Sequence, residues 1–405
     1  MKRVVKNKEN NAQIREDDSS CYLPQYLIEE ILANLPAKSL VKLIVVSKLW
    51  SSIIRSKYFI DLYLKRSVTR PCFLFTFHHG NRRFFHSISQ EAAASSYTTT
   101  SRLPLSLDAR ISLSLDARIS PLSYDVCPPV HGLICCQDLE KVVISNPSTG
   151  QFLVLPKLKT KRSKISKFFG YDPIEDEYKV LCMTVLQVPY NYSPFVSEEH
   201  QVFTLGRAQK KKEATWRMIK CNLPHCPATQ GICINGVVYY GAWSFNSKSK
   251  GSLIVAFDVR LEEFTLVKLP DRVDIYCSYD SELVNYQRKV ALANQSYIHN
   301  GKFELWVLED VDKQEWSKIS AVVPSWNDLV GLSLYCRGAI KSFYCRGAIS
   351  SGEYIFAPTV SDDSFFIISY DPKEDIGRRV EIEGIGAGSN CVTSFLDYVE
   401  CPIFL

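Results

Sequence analysis

Four segments of the chain share one shape: an apolar run, an Asn or Asp, a polar turn, and a second apolar run. They read ISNPSTGQFLVLP (residues 144–156), GYDPIEDEYKVL (170–181), AFDVRLEEFTLVKLP (256–270) and ISYDPKEDIGRRVEI (368–382). Asn and Asp side chains bond backbone two residues on, and a following Pro fixes φ. Three of the four segments therefore carry the turn chemistry of a hairpin. Asn235-Gly236 and Asn300-Gly301 are stronger signals still, because both residue types accept the positive φ of a tight hairpin turn. They place hairpins in GICINGVVYYGAW (231–243) and SYIHNGKFELWVL (296–308). One such sheet alone buries too little to be stable. A recurrent strand–turn–strand unit with an aromatic in each predicts sheets stacked about a common axis, a β-propeller, over residues 130–405. The same alternation permits a β-sandwich.

The chain before residue 67 has a different period. Leu27, Ile28, Ile31, Leu32 and Leu35 fall three to four apart, one stripe of an amphipathic helix. Pro24 suits its first turn, and Pro36 forces the chain to turn. Leu40, Leu43, Ile44 and Val46 form a second apolar series, and Trp50, Ile53, Ile54 and Phe59 a third. Ser39 and Ser47 are candidate N-caps for these two helices, although the β-branched run Ile44-Val45-Val46 also fits a strand. Three helices from so few residues cannot bury this much apolar surface among themselves. Either they cap the larger domain, or the leftover face belongs to another protein.

Between these parts, residues 71–77 and 83–88 read as a strand pair around a His-His-Gly-Asn turn, followed by a Ser/Thr/Ala-rich loop. LSLDARIS then occurs twice in tandem, at 105–112 and 113–120, and YCRGAI twice further on, at 335–340 and 344–349. Both repeats are too short to be structural units and read as local insertions in loops. The resulting division is a disordered tail (1–20), a helical module (21–66), a strand pair with a loop-rich connection (67–129) and the β domain (130–405).

A net charge of +5 over 405 residues is too mild to argue for nucleic acid. No apolar run is long enough to span a membrane, and the polar N-terminus lacks the apolar stretch of a secretory signal. The 14 cysteines are scattered through a long chain, which fits reduced thiols in the cytoplasm and/or nucleus. Cys221, His225, Cys226 and Cys233 are the densest set, but a matching second ligand pair for zinc is missing. Cys135-Cys136 reads as a strand pair facing opposite sides.

The sequence carries no phosphate loop, no nucleophile elbow and no paired-His zinc motif. The Gly384-x-Gly386-x-Gly388 run lacks the context of a dinucleotide site. The basic clusters at 157–167 and 210–212 lack the interleaved aromatics of a nucleic-acid reader. No catalytic, metal-binding or cofactor-binding residue is assigned.

The helical module resembles the F-box of plant F-box proteins. The matching residues are Leu23-Pro24, Glu30-Ile31-Leu32, Leu35-Pro36, Lys38-Ser39-Leu40, Val46-Ser47-Lys48 and Trp50. Ile44-Val45 departs from the basic and small residues common there. The β domain resembles the F-box-associated interaction domain through His131-Gly132-Leu133-Ile134-Cys135, Asn146-Pro147-Ser148-Thr149, Leu155-Pro156, Phe169-Gly170-Tyr171-Asp172-Pro173, Asp176-Glu177-Tyr178-Lys179-Val180, Ala256-Phe257-Asp258 and Leu305-Trp306-Val307-Leu308. That family is related in layout to kelch-repeat receptors. The resemblance implies a non-catalytic substrate receptor of a Skp–cullin–F-box ubiquitin ligase. The F-box would dock a Skp-family adaptor, and through it a cullin, while the β domain recruits the protein to be ubiquitinated. The alternative is a propeller enzyme or small-ligand binder with a helical cap.

On this reading the adaptor face is sought among Leu23, Pro24, Leu27, Ile28, Ile31, Leu32, Leu35, Pro36, Leu40, Leu43, Val46 and Trp50. Large aromatics near turns, Tyr190, Tyr192, Trp243, Phe245, Tyr276, Tyr279 and Trp326, are candidates for a substrate-binding rim, since loops carry specificity and aromatics dominate interface cores. Trp243 and Tyr279 are equally read as packing between blades.

Overall fold

The computed structural model describes residues 23–79, 82–91, 126–138, 141–160, 164–185, 197–206, 215–246, 249–275, 281–294, 298–331, 335–336, 339–340, 342–360, 364–385 and 390–405. Four helices open the chain, not three: α1 (Gln25–Ala33), α2 (Ala37–Leu43), α3 (Lys48–Arg55) and α4 (Lys57–Ser67). The third apolar series is broken at Ser56, which is extended (φ −66°, ψ 143°) and caps α4 by accepting from Phe59 N. Ser47 caps α3 in the same way through Trp50 N. Ser39 does not cap. The residue at that position of α2 is Pro36, and Ile44-Val45-Val46 is a turn, neither helix nor strand.

The rest is a six-bladed β-propeller, so the sandwich alternative falls. One hairpin begins the ring: β1 (Cys72–His79) pairs with β2 (Arg82–Ser89), as the sequence predicts. The next blade is β3 (Ile134–Asp138), β4 (Lys141–Asn146) and β5 (Gln151–Val154), to which Val126 adds an inner bridge with Cys136. β6 (Lys164–Asp172), β7 (Glu177–Val185), β8 (Ser197–Gly206) and β9 (Arg217–Ile219) form the second. β10 (His225–Ile234), β11 (Val237–Asn246), β12 (Ser249–Asp258) and β13 (Phe264–Lys268) form the third. The fourth is β14 (Ser281–Tyr286), β15 (Lys289–Asn294), β16 (Lys302–Asp310) and β17 (Glu315–Val322). A short helix α5 (Trp326–Val330) and a two-stranded hairpin, β18 (Tyr335–Cys336) with β19 (Ala339–Ile340), precede the fifth. That blade is β20 (Phe343–Ala348), β21 (Tyr354–Pro358), β22 (Phe365–Asp371) and β23 (Ile376–Ile382). Finally β24 (Asn390–Tyr398) pairs with β1, and the ring closes.

The turn chemistry repeats more regularly than the sequence pattern suggests. Asn146, Asp172, Asp258 and Asp371 each end a strand, and the side-chain Oδ1 accepts from backbone N–H groups two or three residues on. A fifth turn, from Asp310, does the same through Lys313 N at 2.9 Å. All five turns hold a positive-φ residue one or two positions before the next strand: Gly150, Asp176, Glu262, Gln314 and Asp375. Asn235 and Gly236 (φ 51° and 83°) make the predicted two-residue hairpin. Asn300-Gly301 does not: residues 298–300 form a single 3₁₀ turn, Ile298 is buried in the blade core, and β15 and β16 pair only from Asn294 and Glu304.

Because strands alternate in direction, first-to-second and third-to-fourth turns share one rim, and the other connections share the opposite rim. Cys72 pairs with Tyr398, so the start of β1 lies at the first rim, and α4 runs straight into it. The helices therefore sit on that rim.

Cys135 and Cys136 do face opposite ways, into different core clusters. The LSLDARIS repeat lies outside the described residues.

Candidate functional site

The helical module has a small core of its own: Leu32, Ala33, Ala37, Leu40, Ile53, Ile54, Phe59 and Tyr63. Ile60 and Leu64 of α4 turn the other way, into the core of the first two blades. The joint is finished by the last residues of the chain. Glu400 Oε2 accepts from Ala37 N at 3.0 Å and lies 3.1 Å from the Tyr63 hydroxyl, which also donates to Leu35 O at 2.9 Å. Burial first, then the Glu400 charge, raises the Tyr63 phenol far above its ordinary range. Phe404 packs on the helical core and lies under the Arg55 guanidinium, 4.6 Å from ring to carbon. Asn146 Nδ2 donates to both Cys401 O and Ile403 O, which fixes this tail to the first blade. Lys57 reaches Asp176 of the β6–β7 turn at 3.0 Å. Gly132 accepts this crowding because a Cβ there would stand 2.3 Å from the Cys401 Cβ.

The twelve residues sought for the adaptor face separate by burial. Leu32 and Leu40 are internal, 1% and 0% exposed, and support the module without reaching its surface. Leu23, Pro24, Ile31, Pro36 and Val46 are exposed; Leu27, Ile28, Leu35, Leu43 and Trp50 are half-buried at the edge of the core. Of the seventeen large hydrophobics exposed among the described residues, eight lie between Leu23 and Val68. They include Tyr26, Val45, Leu49 and Tyr58, which periodicity had not singled out. Their signal in the sequence is that each falls off the core stripe of its helix or in the α2–α3 turn.

At the other rim the outcome is mixed. Trp326 is not a surface residue: it is 4% exposed, and its ring meets Phe343 and Phe356 edge-on at 5.7 and 5.4 Å. It fills the space under α5. Trp243 is half-buried, and its indole N–H donates to Ile275 O at 2.6 Å, a tie between β11 and the connection after β13. Tyr190, Tyr192, Tyr276 and Tyr279 lie outside the described residues, as does the side chain of Phe245. The strand ends that flank them, Val185 and Ser197, Asn246 and Ser249, Ile275 and Ser281, all lie at the rim opposite the helices.

The Cys221–Cys233 region is built for packing and hydrogen bonds. His225 Nδ1 donates to Leu223 O at 2.7 Å, which leaves Nε2 to accept from the Tyr240 hydroxyl at 2.8 Å. Nearby, Ser197 Oγ donates to His225 O and sits 3.1 Å from His200 Nε2. Burial, then the neighbouring His225, lowers His200 to about 4. Among the described residues, no three His, Cys, Asp or Glu side chains gather as metal ligands would. No helix there is long and apolar enough to cross a membrane.

A helical docking module fused to the rim of a closed β-propeller is the two-part layout of an F-box protein. Residues 21–62 match the F-box domain, and residues 72–399 match the F-box associated beta propeller domain. The chain belongs to that family. It is 42% identical over 421 residues to the F-box/kelch-repeat protein At3g04660 of Arabidopsis thaliana, covering 100% of this chain and 98% of that one. From the same organism, F-box protein At1g30790 is 38% identical over 95% of this chain and 96% of its own. F-box protein DOR is 35% identical over 93% and 92%.

Proposed function

We propose that this chain is the substrate-recognition subunit of a Skp–cullin–F-box ubiquitin ligase, and not itself an enzyme. The observation that carries this reading is the division of apolar surface. The helical module buries one face on the propeller and leaves Ile31, Val46 and Leu49 open to solvent. An exposed apolar patch on a small helical module is what a partner's groove covers. Ile31, Val46, Leu23 and the two prolines would touch a Skp-family adaptor directly. Trp50, Leu27, Ile28, Leu35 and Leu43 would line its edge.

The receptor's contribution is positional. Fixing a bound target near the loaded conjugating enzyme raises the effective concentration of its lysines. The rim opposite the helices is assigned to the target, with Trp243 and the connections that carry Tyr190, Tyr192, Tyr276 and Tyr279 as its aromatic part. The scattered reduced cysteines support a cytoplasmic or nuclear setting.

The test is co-purification of the full chain with a Skp-family adaptor, wild type against Ile31→Asp/Val46→Asp. Capture by the wild type and loss in the variant, with the fold unchanged by circular dichroism, is the expected result. Equal capture by both would overturn the assigned face, and no capture by the wild type would overturn the reading itself. A Gly/Ser replacement of 186–196 and 276–280 should keep the adaptor and lose targets trapped under proteasome inhibition.

A further inference from the structure

The hexapeptide YCRGAI stands at 335–340 and again at 344–349. The downstream copy supplies most of β20, the inner strand of the fifth blade, and five of its six residues meet a specific demand there. Cys345 is 1% exposed. Arg346 Nη1 donates to both oxygens of Glu282 on the neighbouring inner strand, at 2.9 and 2.8 Å. Gly347 sits at a bulge with φ 116°, and a Cβ there would stand 2.9 Å from Asn285 O. Only glycine fits such a position. Ala348 is buried, and Ile349 N closes the turn onto Glu353 O at 2.9 Å.

Cys336, Arg337, Gly338, Ala339 and Ile340 repeat every one of these side chains in the same order. Yet the upstream copy is folded on itself, Tyr335 against Ile340 and Cys336 against Ala339. A two-stranded piece of that size has little stability of its own. The chain thus holds two strands for one slot, one in place and one spare.

We propose that the two copies are alternative inner strands of the fifth blade, exchanged by a slip of nine residues. The flanks decide the balance. Phe343 precedes the downstream copy, and its ring lies 5.7 Å from Trp326 and 5.4 Å from Phe366; the upstream copy is preceded by Leu334. Losing an aromatic contact of this kind costs about two- to tenfold in population. Loop closure changes little, because the connection that shortens before the strand lengthens after it, a difference of about twofold. The upstream copy therefore occupies the slot in on the order of one molecule in ten.

The exchange moves nine residues between rims. With the downstream copy in place, β20 begins at Phe343, at the rim opposite the helices. With the upstream copy in place the connection before the strand is 331–333, and the added length joins the β20–β21 turn on the helix side. If the opposite rim takes the target, as proposed above, the slip sets how much chain that rim presents.

The test is thiol labelling of the native full chain, read by mass spectrometry at Cys336 and Cys345, in the wild type, Gly338→Val, Gly347→Val and the double variant. Expected in the wild type are rapid labelling of Cys336 and labelling of Cys345 about tenfold slower; Gly338→Val, which shuts the upstream copy out of the slot, should slow Cys345 further. In Gly347→Val the protein stays folded and the protection moves to Cys336, while the double variant loses the blade. If Gly347→Val lowers the melting temperature as far as the double variant and leaves both cysteines labelled, the copies do not exchange. Labelling judges the exchange without reference to any target. Target capture by Gly347→Val, with adaptor binding as control, separately judges the clause about recognition.

Discussion

The helical module and the propeller solve the same problem in opposite ways. The propeller hides its apolar surface by closing on itself: β24 pairs with β1, and every blade face meets another blade. Its exposed hydrophobics, such as Phe152, Met218, Leu261 and Val322, are spread over outer strands and turn tips. The module closes only one side. Its core of eight buried residues is small, and exposed apolar side chains crowd the remaining surface. A ring can be finished by its own last strand; four short helices on a rim cannot, and on the function proposed above this difference marks the half of the molecule that a partner would complete.

Core truncations should separate the two halves most strongly. Trp326→Ala removes a buried ring wedged between Phe343 and Phe356 and should cost about 3–5 kcal/mol of propeller stability in denaturant unfolding. Phe59→Ala should cost a similar amount within the module, losing adaptor capture while the propeller transition stays in place. Next comes the outer face: Ile31→Asp should weaken adaptor binding by about 2 kcal/mol or more and change stability by no more than about 0.5. A stability loss equal to the binding loss would show that Ile31 serves the core. At the joint, Glu400→Ala removes an acceptor from Ala37 N and a close oxygen beside the Tyr63 hydroxyl, at about 1–2 kcal/mol. The module should then melt separately, ahead of the propeller, in calorimetry.

The smallest effect is in pH dependence, and it belongs to the propeller alone. Burial raises Asp397 to about 6, against a donor bond from Asn285 that lowers it. The folded state therefore holds that proton more tightly than the unfolded chain, so stability falls as pH rises from about 4 to 6. His200, lowered to about 4 from 6.5, works in reverse: the unfolded chain binds the proton first, and stability rises across that window. Asp397 opposes His200, while burial lowers His86 and His225 in the same sense as His200, so the wild-type melting temperature should rise shallowly with pH there. Asp397→Asn should expose the rising limb; a profile unchanged by that substitution would mean Asp397 titrates normally.

The propeller was legible wherever the signal was local. An Asx residue followed by a positive-φ position makes the same turn in five of the blades, and four of those five hairpins could be read directly. The Asp310 turn was not read; like the Asp258 turn, it has Val in place of Pro after its Asp. Asn300-Gly301 misled for a tertiary reason: Ile298 gains more from the blade core than from a strand. Ser56 was invisible as a helix break because the apolar spacing runs on across it. The module's surface was half legible. Period gives the stripe but not its owner: Ile31 and Leu32, adjacent in sequence, end one exposed and the other buried. Trp326 failed as a rim residue because position near a turn says nothing about whether a short helix folds the ring inward. The two YCRGAI copies make the limit plainest: six identical residues take two conformations, so their flanks and partners decide.

The tail around Glu400 also sets an order of events. The helices leave the ribosome before the propeller, yet the groups that hold them to it, Glu400, Cys401 and Phe404, are made only after every blade, following the strand that pairs with β1. Contacts this distant along the chain form slowly. Throughout synthesis the docking module exists without its socket, exposing both of its apolar faces, and only a chain that has been read to its final strand can present the module in a fixed direction.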